Sequence, residues 1–223
     1  MDLQPQRKIG PTRRSVSGIH VFRKQTGIPF ESTLERDFLI RTEFFLNVSE
    51  IVAQPIQIAF ESTNGRKATY TPDFLVVYRL GNRAYPEYPK PKLIEVKPER
   101  QWRKHWRRWS PKWRAAMRTA KDHGWTFHLR DESRIRDTAL ENIRFLQRYR
   151  RMQFSNDDSE WLLDTIRTLG SAPMRYLVDE RLAAGRPSVG IAHLWHLLAT
   201  RRLDCDISRP LNHNTELWIP TDE

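Results

Sequence analysis

The order of hydrophobic periodicities between residues 32 and 151 constrains the fold of this chain most strongly. Apolar residues recur first at helical spacing, then in strand-like runs, and then at helical spacing again. The pattern predicts a helix over 33–46, strands within 50–60, 68–80 and 92–97, helices over 102–109 and 110–124, a strand over 125–129 and a basic helix ending near 151. This order favours a small sheet flanked by helices, so we predict an α/β (α+β) domain.

Shifts in composition predict how the chain is divided. Residues 1–30 are basic and lack periodicity, which is typical of an N-terminal arm. After residue 153 the chain turns acidic and polar, and three helical patterns are followed by two short strands around an Asn-rich turn. Three helices and a terminal hairpin form a winged-helix pattern. We therefore predict a basic arm over 1–30, the α/β domain over 31–153 and a winged-helix-like, mainly α domain over 154–223.

Composition excludes several classes of protein. The chain has 223 residues, 39% of them hydrophobic, with eight Trp and ten Phe, so it can bury a core and is not wholly disordered. Cys205 is the single cysteine and cannot form an internal disulfide. No apolar run approaches the roughly 20 residues that span a bilayer, and residues 1–14 lack the apolar stretch of a secretory signal. A cytoplasmic protein without membrane spans is expected.

The net charge predicts a polyanionic partner. The formal net charge is +11 and the sequence pI is about 10.1. Residues 100–151 carry 16 basic and 5 acidic side chains, whereas residues 152–223 carry 7 and 11. Basic surfaces bind nucleic-acid phosphates and release their counterions, so the middle segment is expected to face DNA. The acidic C-terminal segment is expected to meet protein instead.

Two carboxylates and one lysine form the sharpest candidate site. Thr71, Pro72 and Asp73 precede one predicted strand, and the next contains Glu95 and Lys97. Since side chains alternate along a strand, Glu95 and Lys97 share a face, and Asp73 lies at the same sheet edge. Carboxylates of this kind suit Mg²⁺, while the lysine can orient or deprotonate a water and offset phosphate charge. The alternative is that all three are solvated surface groups.

A third acid is expected from the preceding helix. Glu35 is the candidate because it borders the apolar face of that helix and can reach the sheet edge. It also matches a capping box with Ser32, so it can equally serve only to cap the helix. Glu31 and Glu43 are rival candidates.

These segments together resemble a known family. The residues are Glu31-Ser32-Thr33-Leu34-Glu35-Arg36-Asp37-Phe38, Gln54-Pro55, Tyr70-Thr71-Pro72-Asp73-Phe74-Leu75 and Ile94-Glu95-Val96-Lys97-Pro98. Taken together they are similar to the TnsA endonuclease subunit of heteromeric transposases, most closely from about residue 30 to residue 97. The Pro-Asp and Glu-x-Lys motifs alone would indicate only the wider restriction-endonuclease-like fold.

The resemblance implies a metal-dependent nuclease that nicks the non-transferred strand at the 5′ ends of a transposon. By motif match, the catalytic residues fall on Glu35, Asp73, Glu95 and Lys97, and the metal-binding acids on Glu35, Asp73 and Glu95. Some members carry Gln at the position of Glu95. The implied cofactor is Mg²⁺, with Mn²⁺ able to substitute.

The resemblance also implies partners and a location. The expected partners are double-stranded DNA at the transposon ends, a DDE-type transposase (TnsB-like) and an AAA+ ATPase regulator (TnsC-like), the last through residues 154–223. The expected location is the bacterial cytoplasm, associated with the nucleoid when bound to DNA.

The segment from Trp102 to Arg114 combines aromatic and basic residues at helical spacing. Trp102, Trp106 and Trp109 form a stripe that is more typical of core anchors than of a binding surface. The basic residues are expected to contact DNA phosphates, which positions a duplex without reading its sequence. They are Arg103, Lys104, Arg107, Arg108, Lys112 and Arg114.

Other chemistries find little support. The histidines show no metal-binding spacing with cysteine, so a zinc site is not predicted, and a phosphate-binding Gly loop is absent from the sequence. Two alternatives to a transposase subunit stay open at this point. One is a stand-alone restriction or repair endonuclease, and the other is a non-catalytic winged-helix DNA-binding protein.

Overall fold

The computed structural model describes residues 16–79, 81, 84–183, 185 and 190–221. The chain divides into two compact units, Met1–Ile135 and Arg136–Glu223. No helix among the described residues is long and apolar enough to cross a bilayer.

The first unit is built on a mixed four-stranded sheet. Its strands are ordered β3-β6-β7-β8, with β7 and β8 parallel and the other neighbours antiparallel. Two hairpins, β1-β2 and β4-β5, accompany the sheet. The mixed α/β architecture confirms the predicted fold class. The elements are β1 (Gly18–Phe22), β2 (Thr26–Phe30), α1 (Thr33–Glu43), β3 (Val48–Ala53), β4 (Ile58–Glu61), β5 (Lys67–Tyr70), β6 (Phe74–Tyr78), a 3₁₀ turn (Tyr85–Glu87), β7 (Lys92–Val96), α2 (Glu99–Asp122), β8 (Thr126–Arg130) and α3 (Glu132–Ile135).

Side-chain alternation gives the sheet two buried faces. Phe74 and Ile94 point toward α1 and the β1-β2 hairpin, and the ring of Phe38 on α1 stacks on Phe74 with centroids 5.4 Å apart. Leu75 and Leu93 point to the opposite face, where they join Ala115, Ala116 and Ala120 of α2. The small alanines let α2 approach the sheet closely, which places the polar residues of α2 beside the strand ends.

The segment predicted as an N-terminal arm over 1–30 is partly folded. Residues 18–30 form the β1-β2 hairpin, and Phe22, Ile28 and Phe30 are buried in the core with α1. Residues 1–15 lie outside the described part of the chain. The sequence interpretation missed the hairpin because its strands are only five residues each and are interrupted by Gly and Pro residues.

Helix α2 corrects the predicted break at Ser110. The sequence predicts that one helix ends at Trp109 and another starts with Ser110 as N-cap, but α2 runs unbroken from Glu99 to Asp122 with Pro111 inside it. A proline in a helix leaves the carbonyl four residues earlier without its donor. Here the Ser110 hydroxyl donates to that carbonyl, the Arg107 oxygen, at 3.2 Å. The serine therefore compensates locally for the proline.

The second unit is mainly helical. The helices surround one short antiparallel strand pair, in which Ser171–Pro173 lies against Glu216–Trp218. The predicted terminal hairpin differs from what is observed, because the last strand pairs with β9 and meets the tail only at an isolated bridge between Asp204 and Trp218. The elements are α4 (Thr138–Gln147), α5 (Asn156–Leu169), β9 (Ser171–Pro173), α6 (Met174–Ala183), α7 (Ile191–Ala199) and β10 (Glu216–Trp218).

Helix α4 belongs to this second unit, although the predicted domain boundary lies after residue 153. The Asn142 amide on α4 donates to the carbonyls of Ile207 at 2.9 Å and Arg209 at 2.7 Å. Phe145 of α4 also meets Trp195 of α7 edge to face, with centroids 5.4 Å apart. These contacts tie α4 to the C-terminal elements, which the acidic composition shift at residue 154 does not reveal.

A buried histidine lies in the core of the second unit. His193 is 1% exposed, stacks on Phe154 with centroids 4.3 Å apart, and shares a hydrogen bond of 2.8 Å between its Nε2 and the Ser159 hydroxyl. Burial, and then the neighbouring His196, lower the pKa of His193 to about 4. The folded unit therefore holds this imidazole neutral at pH values where an unfolded chain would protonate it.

We predict that His193 lowers the free energy of unfolding of the second unit as the pH drops from about 6.5 to about 4, because in this window the unfolded state binds a proton that folded His193 rejects. The loss is up to about 3 kcal/mol. Urea unfolding of the wild type and of His193→Gln at pH 4.5 and pH 7.5 measures it. The His193→Gln variant is expected to lose less stability on acidification, and an equal loss in both proteins would contradict the prediction.

Candidate active site

The pairing of β6 with β7 brings two carboxylates together. Phe74 pairs with Ile94, so Asp73 immediately before β6 lies beside the Glu95 end of β7. The Val96 amide donates to Asp73 Oδ2 at 2.7 Å, and the Gln54 amide at the end of β3 donates to the Asp73 carbonyl at 2.8 Å. Asp73 is thus fixed by backbone groups from both neighbouring strands.

Lys97 joins the two carboxylates. Its ammonium lies 3.5 Å from Asp73 Oδ2 and 3.5 Å from Glu95 Oε1. The structure therefore brings together Asp73, Glu95 and Lys97 at one sheet edge, as the strand periodicity predicts. The alternative of three separate solvated groups does not fit, because Glu95 is 1% exposed.

Glu95 is held by two further side chains that sequence periodicity does not link to it. The Tyr70 hydroxyl donates to Glu95 Oε2 at 2.6 Å, and the Lys112 ammonium on α2 donates to Oε1 at 3.0 Å. The Lys112 ammonium also lies over the rings of Tyr70 and Trp109, at 4.4 and 5.0 Å from their centroids. Charge and hydrogen bonds thus compensate for the burial of this carboxylate.

Burial and charge shift the proton equilibria of the cluster. Burial, and then the negative charge of Glu95, raise the pKa of Asp73 to about 8. Burial alone would lower the pKa of Lys97, but the charges of Asp73, Glu95 and Glu35 raise it above its ordinary value. Lys97 is therefore held as an ammonium at neutral pH. In this arrangement it supplies positive charge and does not accept a proton.

Glu35 has a different environment from the other predicted acids. Its Oε1 accepts from the Ser32 hydroxyl at 2.9 Å and its Oε2 from the Glu31 amide at 2.7 Å, while the Glu35 amide donates to the Ser32 hydroxyl at 3.1 Å and so caps α1. Burial raises the pKa of Glu35, although these bonds and Lys97 oppose the shift. The charge of Lys97 thus links Glu35 to the site. Both oxygens of the Glu35 carboxylate accept hydrogen bonds at the start of α1.

The rival acids separate in space. Glu31 lines the cleft that contains Asp73 and Glu95. Glu43 lies at the other end of α1, where its carboxylate bonds His20 Nε2 at 2.8 Å and the Arg23 amide at 3.1 Å.

A cleft of about 390 Å³ opens over the two carboxylates. Gln54 lines it, and the Gln54 Oε1 atom is buried and accepts no hydrogen bond from any described residue. The backbone of Gln54 has φ 49°, a left-handed conformation that costs a glutamine roughly 1 kcal/mol or more. Strain and an unpaired oxygen at one residue indicate a functional position. The only sequence signal for it was the Gln54-Pro55 pair directly after a β-rich run.

The donor set of this cleft suits a hard cation. No three His, Cys, Asp or Glu side chains among the described residues are grouped so that they could hold a metal ion. The residues that line the cleft include Asp73 and Glu95, whose side chains carry carboxylate oxygens, and Gln54, whose side chain carries an amide oxygen. Mg²⁺ accepts a few protein oxygens and keeps several waters, so these residues fit it without a third acid.

The predicted DNA-contacting residues all lie on α2 but face different ways. Helical spacing puts Arg103, Arg107 and Arg114 together on the side of α2 away from the sheet, where all three are exposed. Arg103 pairs with Glu99 at 2.6 Å. Lys104 and Arg108 are exposed on the flank of the helix, whereas Lys112 faces Glu95.

The tryptophan stripe is not uniformly a core feature. Trp102 donates from its indole nitrogen to Asp131 Oδ2 at 2.9 Å, and Trp109 meets Trp113 edge to face. Trp106 is 51% exposed, so the expectation that all three rings are core anchors is wrong for this residue.

The fold and the site define a nuclease-like α/β domain, in which two carboxylates and a lysine converge at one sheet edge. Residues 46–132 match the family described as TnsA-like endonuclease N terminal, and residues 134–207 match the family described as TnsA endonuclease C terminal. The chain therefore belongs to the TnsA endonuclease family, and its domains are those of a transposase endonuclease subunit. No curated protein matches the chain. The resemblance drawn from the sequence motifs is confirmed.

We predict that Lys112→Ala lowers the free energy of unfolding by about 1–3 kcal/mol, since it leaves the buried Glu95 carboxylate without one of its donors. In Glu95→Gln the same Lys112 change is expected to cost less, because an amide needs no charged partner. A double-mutant cycle by urea unfolding measures the coupling. Arg114→Ala, on the outer side of α2, is the matched control and is expected to change stability by less than about 0.5 kcal/mol. Additive effects of the two substitutions would contradict the coupling.

Proposed function

We propose that this chain is the Mg²⁺-dependent DNA endonuclease of a heteromeric transposase, and that it nicks the non-transferred strand at the 5′ ends of the transposon. The observation that carries the proposal is the convergence of Asp73, Glu95 and Lys97 in one cleft, with Lys97 3.5 Å from both carboxylates. Membership of the TnsA endonuclease family supports it independently.

The residues of the cleft take separate roles in this proposal. Asp73 and Glu95 would hold Mg²⁺, and Mn²⁺ would substitute because it prefers the same oxygen donors. The bound ion would lower the pKa of a water and polarise the scissile phosphate. Lys97 compensates for the negative charge that accumulates on the phosphate as the water attacks and the P–O bond breaks. Glu35 is the proposed third acid and acts from the edge of the site.

DNA is the proposed substrate, and the basic residues of α2 are its proposed contacts. The residues on that helix are Arg103, Lys104, Arg107, Arg108, Lys112 and Arg114. Phosphate contacts of this kind orient a duplex and carry no sequence information, so the choice of cutting site would come from a partner.

The proposed partners are a DDE-type transposase of the TnsB kind and an AAA+ regulator of the TnsC kind. We assign the regulator contact to residues 154–223 within the second unit. Residues 152–223 carry 7 basic and 11 acidic side chains, which disfavours DNA and favours a protein surface. The order α5, β9, α6, α7 and β10 supports a winged-helix-like description of this part.

We predict that Asp73→Asn and Lys97→Met each lower the rate of Mg²⁺-dependent nicking at least ~100-fold, because each removes transition-state stabilisation. Glu35→Gln is expected to slow nicking less. The measurement is single-turnover nicking of end-labelled transposon-end DNA in the assembled complex, with Arg118→Gln as a surface control. Wild-type rates in Asp73→Asn or Lys97→Met would overturn the site assignment, and a wild-type rate in Glu35→Gln would transfer its role to Glu31.

We also predict that the isolated chain nicks poorly or without site preference, and that the transposase confines the nick to one position beside the transposon end. Gel mapping of nicks with and without the transposase measures this, with Asp73→Asn as the blank. A sharp, site-specific nick from the isolated chain would instead favour a stand-alone restriction-type enzyme.

A further inference from the structure

A second, larger cleft lies between the β4-β5 hairpin and α2. Its volume is about 550 Å³, and the hairpin turn, β5 and α2 form its walls. Lys112 lines both this cleft and the cleft over Asp73 and Glu95. The lining residues are Phe60, Ser62, Thr63, Asn64, Arg66, Lys67, Ala68, Arg108, Trp109 and Lys112. We call it the hairpin cleft.

Four basic side chains line the hairpin cleft, and the nearest acidic residue along the hairpin is Glu61, whose backbone pairs with that of Lys67 across the two strands. Arg66, Lys67, Arg108 and Lys112 line it, and no Asp or Glu is among its described lining residues. Lys112 is neutralised by Glu95, but the side chains of Arg66, Lys67 and Arg108 form no ion pair with any described residue. Three exposed cations that converge on one concave surface favour a polyanionic ligand.

The geometry of β5 connects this surface to the active site. Lys67 and Ala68 of β5 line the hairpin cleft, and Thr69 and Tyr70 of the same strand line the cleft over the carboxylates. A strand rises about 3.3 Å per residue, so Lys67 lies about 10 Å from Tyr70 along β5. A single DNA strand could therefore contact both clefts at once.

The walls of the hairpin cleft are held in place before any ligand binds. Within the turn, the Ser62 hydroxyl lies 2.6 Å from Asn64 Oδ1 and 2.8 Å from the Arg66 carbonyl, and its one proton is shared between these two acceptors. Gly65 has φ 75°, which the turn requires and which favours glycine. On the opposite wall, Trp109 is fixed between His105 and Trp113.

We propose that the hairpin cleft binds the sugar-phosphate backbone of the DNA strand that flanks the scissile phosphate, through Arg66, Lys67 and Arg108. The choice of DNA as the polyanion rests on the proposed function. The cleft acts as a positioning site: it adds affinity for the DNA beside the cut and takes no part in the chemistry.

Equilibrium binding tests the cleft without any cleavage. The full chain is titrated against a fluorescent 30-base-pair duplex in EDTA, and anisotropy is followed between 50 and 300 mM KCl. Arg66→Gln and Arg108→Gln are each expected to weaken binding about three- to eightfold near 0.1 M salt and to reduce the log-log salt slope by about 0.9. Arg66→Lys is expected to restore both quantities.

Arg175→Gln is the control, because it removes one exposed charge from α6 of the second unit, which the proposal does not place on DNA. It is expected to leave the salt slope unchanged. The proposal is overturned if the cleft variants bind like the wild type, if the control weakens binding equally, or if the wild type shows no binding at 50 mM salt. This experiment measures binding and not nicking, so a failure of the catalytic assignment leaves its result intact. Unaltered binding in the cleft variants would reject the cleft proposal and leave the catalytic assignment standing.

Discussion

The burial of the Glu95 carboxylate is the constraint on which the site depends. A carboxylate that is 1% exposed persists only with strong partners, and here these are Tyr70, Lys112 and Lys97. Each partner comes from a different element: the β4-β5 hairpin, helix α2 and the residue that follows β7. The partners of the Glu95 charge therefore hold the hairpin, α2 and the end of β7 together, and these same elements form both clefts.

Period-two alternation was sufficient to predict the centre of this site. It put Glu95 and Lys97 on one face, and the turn before β6 put Asp73 at the same edge, without knowledge of the strand order. The ion pair between Glu95 and Lys112 could not be predicted in this way, because it depends on how closely the alanines of α2 let that helix approach the sheet. Gln54 was missed as a site residue because left-handed backbone in a glutamine has no sequence signature.

Packing that no local sequence pattern records also explains where the predicted fold differs from the observed one. The first hairpin is short and interrupted by Gly and Pro residues, and its stability comes from the core that it covers. Pro111 predicted a helix start by propensity, but the Ser110 hydroxyl and the packing of Ala115 and Ala116 override that preference. Helix α4 was assigned by composition to the wrong side of an acidic segment, whereas its contacts through Asn142 lie with the C-terminal residues.

The two backbone bonds to Asp73 have an evolutionary consequence. Its side chain is held by the Val96 amide and its carbonyl by the Gln54 amide, so the position of the carboxylate is set by the register of three adjacent strands. A slip of one residue between β6 and β7 would turn Glu95 to the opposite face of the sheet. Selection for cleavage therefore acts also on apolar residues such as Phe74 and Ile94 that fix the register, although they touch no substrate. Apolar core positions and acidic site positions are expected to evolve as one unit in this domain.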